Sequence, residues 1–281
     1  MRPMLDSLLM QTYKNVEFFF VNDGSTDHTE DIFLEYKPKL EQKGWKVIYH
    51  KQPNGGAAKA VNFGLGRFSG KYLTWPDSDD ILYSNCLQRR VEYMEMHPEC
   101  DLLLTSVDTC NQDNLDYKLQ PMRFIMPHKN ETFFTKFLYQ QGVLFCPISS
   151  FARANSVKQV IPSLHIYDES KGGQNWQMLL PLSYKKNVQY LDVILACYVN
   201  RESSHSHTTE TDAITRQTQY EEVLTHAILS LSTMPQKEKQ HYLRQVKIKY
   251  AVKRARIRIR AILQCVLGEQ YFNRLKEILK K

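Results

Sequence analysis

The sequence predicts an α/β fold: a mostly parallel sheet with helices on both faces, followed by a basic helical extension at the C-terminus. Three observations carry this expectation. Short β-branched and aromatic runs alternate with amphipathic stretches over residues 1–107. Two of those runs end in clusters of acidic and polar residues, where ligands bind in sheets of this kind. The positive charge is gathered at one end of the chain.

The elements follow in order. The chain opens in a helical pattern with Leu5, Leu8 and Leu9 as its apolar stripe. VEFFFV (16–21) reads as a strand, as do KVIYH (46–50), KYLTW (71–75) and DLLLTSV (101–107), all rich in residues that suit a pleated, buried surface. Between them, residues 27–43, 57–68 and 84–97 read as helices with apolar positions three or four apart; the first opens with Asp27 and Glu30 at capping-box spacing. Alternation of this kind favours parallel strands covered on both sides. VQYLDVILACYV (188–199) is strand-like, and residues 213–231 are helical.

Composition bounds the class. With 281 residues, 42% hydrophobic and 11% aromatic, the chain can bury a real core and disorder is not the default. Its six cysteines, Cys86, Cys100, Cys110, Cys146, Cys197 and Cys265, are scattered without a C-x-x-C pair, which fits buried thiols in a reducing compartment. No stretch approaches the ~20 apolar residues that span a bilayer, and MRPMLDSLLM has no leader pattern. The expected location is the cytosol, or the inner face of the cell membrane as a peripheral protein.

Charge divides the chain further. Residues 237–281 hold 14 Lys or Arg against 3 Asp or Glu, a balance of +11; against a whole-chain charge of +7, the first 236 residues stand at −4. Within the tail, Ile248, Val252, Ala255, Ile259, Ile262 and Val266 are spaced by three or four, as in an amphipathic helix. RIRIR (256–260) also alternates strictly, so a strand competes there. A basic amphipathic helix suits an anionic membrane surface; docking on the body of the chain is the competing reading. Nucleic-acid binding is not expected, because the acidic body offers no second basic surface.

NDGSTD (22–27), NGGAAKAVNFGLGRFSGKYL (54–73) and DSDD (77–80), preceded by LDSLLMQTYKNVE (5–17), resemble in order and spacing the nucleotide-sugar half of family 2 glycosyltransferases with the GT-A fold. The resemblance is close over residues 4–107 and looser to about 207. It implies a GT-A domain over 1–210, with a nucleotide-sugar half at 1–107 and an acceptor half at 108–210, followed by a helical basic region at 211–281. Asp77 and Asp79 occupy the D-x-D positions. A divalent ion, Mn²⁺ or Mg²⁺, held by Asp79 with Asp80 would neutralise the donor diphosphate, while Asp77 faces the ribose or sugar. A solvated acidic turn is the alternative. Asp23 would accept a hydrogen bond from the base, beside Asn22, where the family more often has Asp. Asn54 and Gly55 let the backbone approach the ligand before a helix N-terminus, and Lys59 is a diphosphate contact or a surface lysine.

The acceptor half departs from the pattern. The family's acidic pair before an aromatic helix is replaced by Gln174 and Asn175, neither of which can serve as a base. Asp168 and Glu169 are the nearest acids and the candidate general bases, or else ordinary surface acids. Gln174 and Asn175 then become acceptor or loop contacts, and Trp176 is an acceptor floor or a core residue. His205 and His207 share a face in an extended segment, and one of them, His207 first, is a candidate metal ligand. The resemblance also implies a strand before residue 1, ending in a Pro-x-Tyr-Asn-like turn: an upstream extension of the reading frame is expected to reveal it, the alternative being a truncated form of reduced stability.

The resulting expectation is an inverting, metal-dependent hexosyltransferase in cell-surface polysaccharide synthesis. It would move a sugar from a nucleotide sugar, a UDP-sugar first among them, to a glycan or lipid-linked acceptor. A catalytically silent GT-A-like binding or scaffold protein and a nucleotidyltransferase are the rivals.

Overall fold

A computed structural model of the chain describes residues 1–116, 118–143, 145–170, 172–200 and 210–267. Helix α1 (Arg2–Leu9) buries Met4, Leu5 and Leu8. Strand β1 (Glu17–Asp23) follows, and its three phenylalanines divide between two faces. Phe18 and Phe20 turn toward α2 (Thr29–Gln42), where Phe20 stacks on Phe33 with ring centroids 4.0 Å apart. After β2 (Lys46–Gln52), helix α3 (Ala57–Leu65) covers the other face, and Phe19 meets its Phe63 edge-on. β1 and β2 run parallel, with Glu17 opposite Lys46 and Asp23 opposite Gln52, so both acidic-polar ends emerge together.

The Asp27–Glu30 capping pair does not form. His28 occupies the N-cap position, Asp27 accepts from the Thr29 amide at 3.0 Å, and Glu30 pairs with Lys51 of β2. A long-range ion partner has displaced the local one.

The remaining elements are β3 (Tyr72–Leu73), β4 (Ile81–Leu82), α4 (Cys86–Met96), β5 (Leu102–Asn111), α5 (Phe133–Tyr139), β6 (Ser150–Arg153), α6 (Ala154–Val160), α7 (Gln174–Ser183), β7 (Val188–Asn200), α8 (Glu210–Leu229) and α9 (Gln236–Leu267). Five strands form one sheet in the order β3-β6-β5-β7-β4. The expected parallel pairing holds for β1–β2 and for the long β5–β7 ladder, and short antiparallel pairings are added to it. β5 and β7 are parallel, but β3–β6, β5–β6 and β4–β7 are antiparallel. Parallel return needs a crossover connection, and β4 follows β3 through the acidic turn alone. Among the described residues, β1 has β2 as its only strand partner, and β3 has only β6.

Helices do cover both faces. Leu102 and Leu104 of β5 enter a large core with α5, α6, α7 and α8, whereas Leu103 turns the other way onto Met94 of α4. Val223, Leu224, Ala227 and Ile228 of α8 and Val246 and Tyr250 of α9 belong to the same large core as Trp75 and Trp176. The charge boundary at residue 237 is therefore not a boundary in packing. RIRIR lies within α9, which removes the strand alternative for it.

Candidate active site

The first corner of the site is the end of β1. Asn22 is buried; its side-chain amide donates to Tyr49 Oη at 3.2 Å, and its Oδ1 accepts from the Ser25 amide at 2.9 Å, bending the chain out of the strand. Asp23 is half-buried. Its Oδ1 accepts from the Gly55 amide at 2.9 Å and Gln52 Nε2 at 2.8 Å, and its Oδ2 accepts from the Gly56 amide at 2.7 Å. A carboxylate offers about four acceptor positions, so Asp23 holds the 54–56 turn and keeps capacity for one further donor. Between them Gly24 has φ +74°, and a methyl group there would lie 2.6 Å from the Asn54 backbone nitrogen. No side chain fits that approach.

Asn54 is exposed, and Gly56 is the N-cap of α3, where the amides of the first turn have no carbonyl four residues back within the helix. Lys59 is exposed one turn into α3, and its stem folds back over Gly55. Asn54, Gly55, Lys59, Asn22 and Asp23 thus converge on one corner.

The second corner is the β3–β4 turn. One carboxylate oxygen from each of Asp77, Asp79 and Asp80 lies within 4.8 Å of the others; Asp80 is buried and the other two are half-buried. The turn is fixed at both ends. Asp80 Oδ1 accepts from the Val199 amide of β7 at 3.2 Å. On the far side, the Leu82 amide donates to Ser7 Oγ at 3.2 Å, and Gln11 Nε2 donates to the Tyr83 carbonyl at 2.8 Å. Gln11 Oε1 in turn accepts from the Leu87 amide at 3.1 Å. The Gln-Thr-Tyr segment after α1 is therefore a latch for the strand that carries the acids.

Two further side chains sense this cluster. Burial, then the negative charges of Asp80, Asp79 and Asp77, hold the Tyr198 phenol above its ordinary value. Burial and Asp80 push the Cys146 thiol up to about 12. Neither residue stands out in the sequence, because each belongs to an unremarkable apolar run that tertiary folding brings to the acids.

The acceptor-side residues separate. Asn175 bridges the two halves: its Oδ1 accepts from Trp75 Nε1 at 3.3 Å, and its Nδ2 donates to the Phe145 carbonyl at 3.0 Å. Trp75 immediately precedes the acidic turn, so α7 begins beside it. Gln174 is half-buried at the first position of α7. The N-cap before it, Gly173, has φ +85°, and a methyl there would meet Val223 of α8 at 2.6 Å. Trp176 takes the core alternative: it is 4% exposed, its Nε1 donates to the Phe137 carbonyl at 3.2 Å, and it packs edge-on against Tyr220. Its ring offers no floor to an acceptor.

Asp168 and Glu169 differ in their surroundings. Asp168 Oδ2 accepts from Asn62 Nδ2 of α3 at 3.1 Å and lies 3.5 Å from His165 Nε2, whereas Glu169 is exposed. Asn62 also exchanges hydrogen bonds with the Ile166 backbone at 2.8 Å in both directions. It thereby anchors the 165–168 loop on the helix that starts at the Asp23 corner. His205 and His207 lie outside the described residues.

A model of the family described as glycosyl transferase family 2 matches residues 1–161, more than half of the chain. An uncharacterised glycosyltransferase of Rickettsia typhi is 35% identical over 127 residues, covering 45% of this chain and 36% of its own. Glycosyltransferase GlyA of Streptococcus pneumoniae is 44% identical over 97 residues, covering 33% and 13% respectively. The chain thus spans about a third or less of these curated relatives. Among solved structures, S. aureus TarS residues 1–349 in complex with UDP-GlcNAc superposes with a TM-score of 0.61 at 19% identity, covering 86% of this chain and 66% of that one, which establishes a shared GT-A fold. With its motifs, its fold and its family match in agreement, this chain belongs to glycosyl transferase family 2.

Proposed function

We propose that the chain transfers a sugar from a UDP-sugar to a hydroxyl of a glycan or lipid-linked acceptor at the cytosolic face of a membrane, with inversion at the anomeric carbon. The observation that carries this reading is the convergence of Asp77, Asp79 and Asp80. An all-oxygen, multiply charged donor set of this kind fits a hard divalent cation such as Mn²⁺ or Mg²⁺. When bound, such an ion would neutralise the charge of the diphosphate and of the departing UDP. His205 or His207 is proposed as a further ligand.

The chain's own groups supply the rest. Asp23 has acceptor capacity left for an N–H of the base, and the amides at the start of α3 with Lys59 suit the diphosphate. Asp168, anchored by Asn62, is the better-placed general base. It takes the proton of the acceptor hydroxyl as that oxygen attacks the anomeric carbon; the sugar–phosphate bond breaks and its electrons leave with UDP. The UDP-GlcNAc held by TarS supports a nucleotide-sugar donor here.

The test is UDP release from a panel of UDP-sugars in the presence of Mn²⁺, comparing the wild-type chain with Asp79→Asn. Loss of one carboxylate from the cluster is expected to lower release by at least ~10²-fold. Absence of any donor giving more UDP with wild type than with the variant would sink the enzymatic reading. Tight donor binding without turnover would favour a silent binding protein, for which the amide pair Gln174–Asn175 is the supporting observation. Pyrophosphate release from a nucleoside triphosphate would point to nucleotidyl transfer.

A further inference from the structure

Helix α9 carries two apolar faces, and among the described residues only one of them is covered. At 32 residues it is about 48 Å long. Val246 and Tyr250 are fully buried in the main core, and Arg254 pairs with Glu221 of α8, so one face is docked. The stripe of Ile248, Val252, Ala255, Ile259, Ile262 and Val266 lies on the opposite face, in solvent. Its large side chains, together with Leu263, are 42–74% exposed. At 100° per residue these positions fall within an arc of about 100°. Basic residues border the arc on both sides, Arg256 and Arg260 along one shoulder and Lys247 and Arg258 along the other. From residue 239 to 267 there are nine Lys or Arg and no Asp or Glu.

We infer that this outer face of α9 rests in the plane of a lipid bilayer bearing anionic headgroups, the apolar stripe sunk at the headgroup–acyl boundary and the two basic shoulders against the phosphates. This deepens the transferase reading by naming the surface on which a lipid-linked acceptor would be met. Charge complementarity selects the occupant. The spacing of the stripe would also suit a two-helix seam between copies, but Arg256 and Arg258 would then flank that seam with like charges and no acidic residue of the segment to answer them. A nucleic acid would pair with the arginines yet leave the central apolar strip against phosphate and water. No helix among the described residues is long and apolar enough to cross a membrane, so the helix lies on the bilayer rather than through it.

The experiment is co-sedimentation of the full chain with vesicles of phosphatidylcholine alone and of phosphatidylcholine mixed with phosphatidylglycerol. Partitioning to the anionic vesicles is expected to be at least ~10-fold stronger and to fall as salt is raised. Ile259→Glu/Ile262→Glu should lose it by ~10-fold or more, and Arg256→Glu/Arg258→Glu should lose the preference for anionic lipid. These positions are exposed, so an unchanged thermal melt by circular dichroism certifies the fold of each variant. Equal binding to both vesicle types, or binding untouched by the isoleucine substitutions, overturns the inference. So does a concentration-dependent dimer in sedimentation equilibrium that the same isoleucine substitutions abolish. UDP release measured without vesicles is a separate readout: its failure counts against the transferase reading and leaves vesicle binding standing, and the converse holds equally.

Discussion

Asp168 and Glu169 are adjacent acids that the sequence cannot tell apart, and their environments separate them. Asp168 is half-buried and held by Asn62 on the helix that begins at the donor corner, whereas Glu169 is exposed and meets the Tyr167 hydroxyl. A general base works within hydrogen-bond reach of the proton it removes, so the less exposed carboxylate, anchored from the donor corner, is favoured. Asp168→Asn is expected to lower kcat by ~10²–10⁴-fold, while Glu169→Gln should stay within about fivefold of wild type. Steady-state UDP release from both variants checks this, and the reverse order would move the role to Glu169. Asp77, Asp79, Asp80, Asp23 and Gly55 were legible as candidate site residues, because their motifs are contiguous and sit at strand ends. Asn62 and Tyr198 were not: Asn62 acts through partners about a hundred positions away, and Tyr198 reaches the acids only through the pairing of β7 with β4.

At the scale of elements, the acidic turn depends on supports that are not acidic. β4 is two residues long, too short to define the turn by itself, and it is fastened to Ser7 of α1, to Gln11 just after that helix, and to β7 by pairing. Gln11 is 1% exposed, and truncating it would leave the Leu87 amide without this acceptor in the interior, while the Tyr83 carbonyl would keep its bond from the Cys86 amide. Gln11→Ala is therefore expected to cost ~1–3 kcal/mol in urea unfolding. A loss below about 0.5 kcal/mol would show that water replaces the latch. The strands and helices read from periodicity lie within a few residues of their places, with β1 extending to Asp23 and β5 to Asn111, whereas the short β4, β6, α5 and α6 carry no such pattern and were not legible. Strand direction was less readable. Alternating apolar runs announce a buried strand, but which neighbour it pairs with depends on connections that carry no periodicity, and so β3, β4 and β6 proved antiparallel to their partners.

For the whole molecule, the helical extension is stabilised by the domain and in turn covers it. Lys249 of α9 sits half-buried at this junction, its Nζ donating to the Leu138 carbonyl at 3.3 Å. Burial, then the like charge of Lys253, draws its ammonium down from the ordinary 10.5 to about 8. Between those two values the unfolded chain binds the proton that the folded chain has lost, so stability contributed by this group rises with pH across about 8 to 10.5, and the penalty is fully present below 8. Relative to Lys249→Met, the wild type is expected to gain about 1–2 kcal/mol between pH ~7 and pH ~10.5, after allowance for its partial exposure. Urea melts of both proteins at the two pH values measure this, and a constant difference would contradict it. The sequence by itself determined the α/β class, the family motifs and the acidic cluster, because each is written in local order: periodicity, turn residues and carboxylates at close spacing. Only the tertiary structure decided that Trp176 belongs to the core, that Asn175 ties α7 to the acidic turn, and that the stripe on α9 looks outward while Val246 and Tyr250 look in. A periodic pattern shows that a helix has an apolar face. What that face meets is settled by the surfaces left over when every other element has packed.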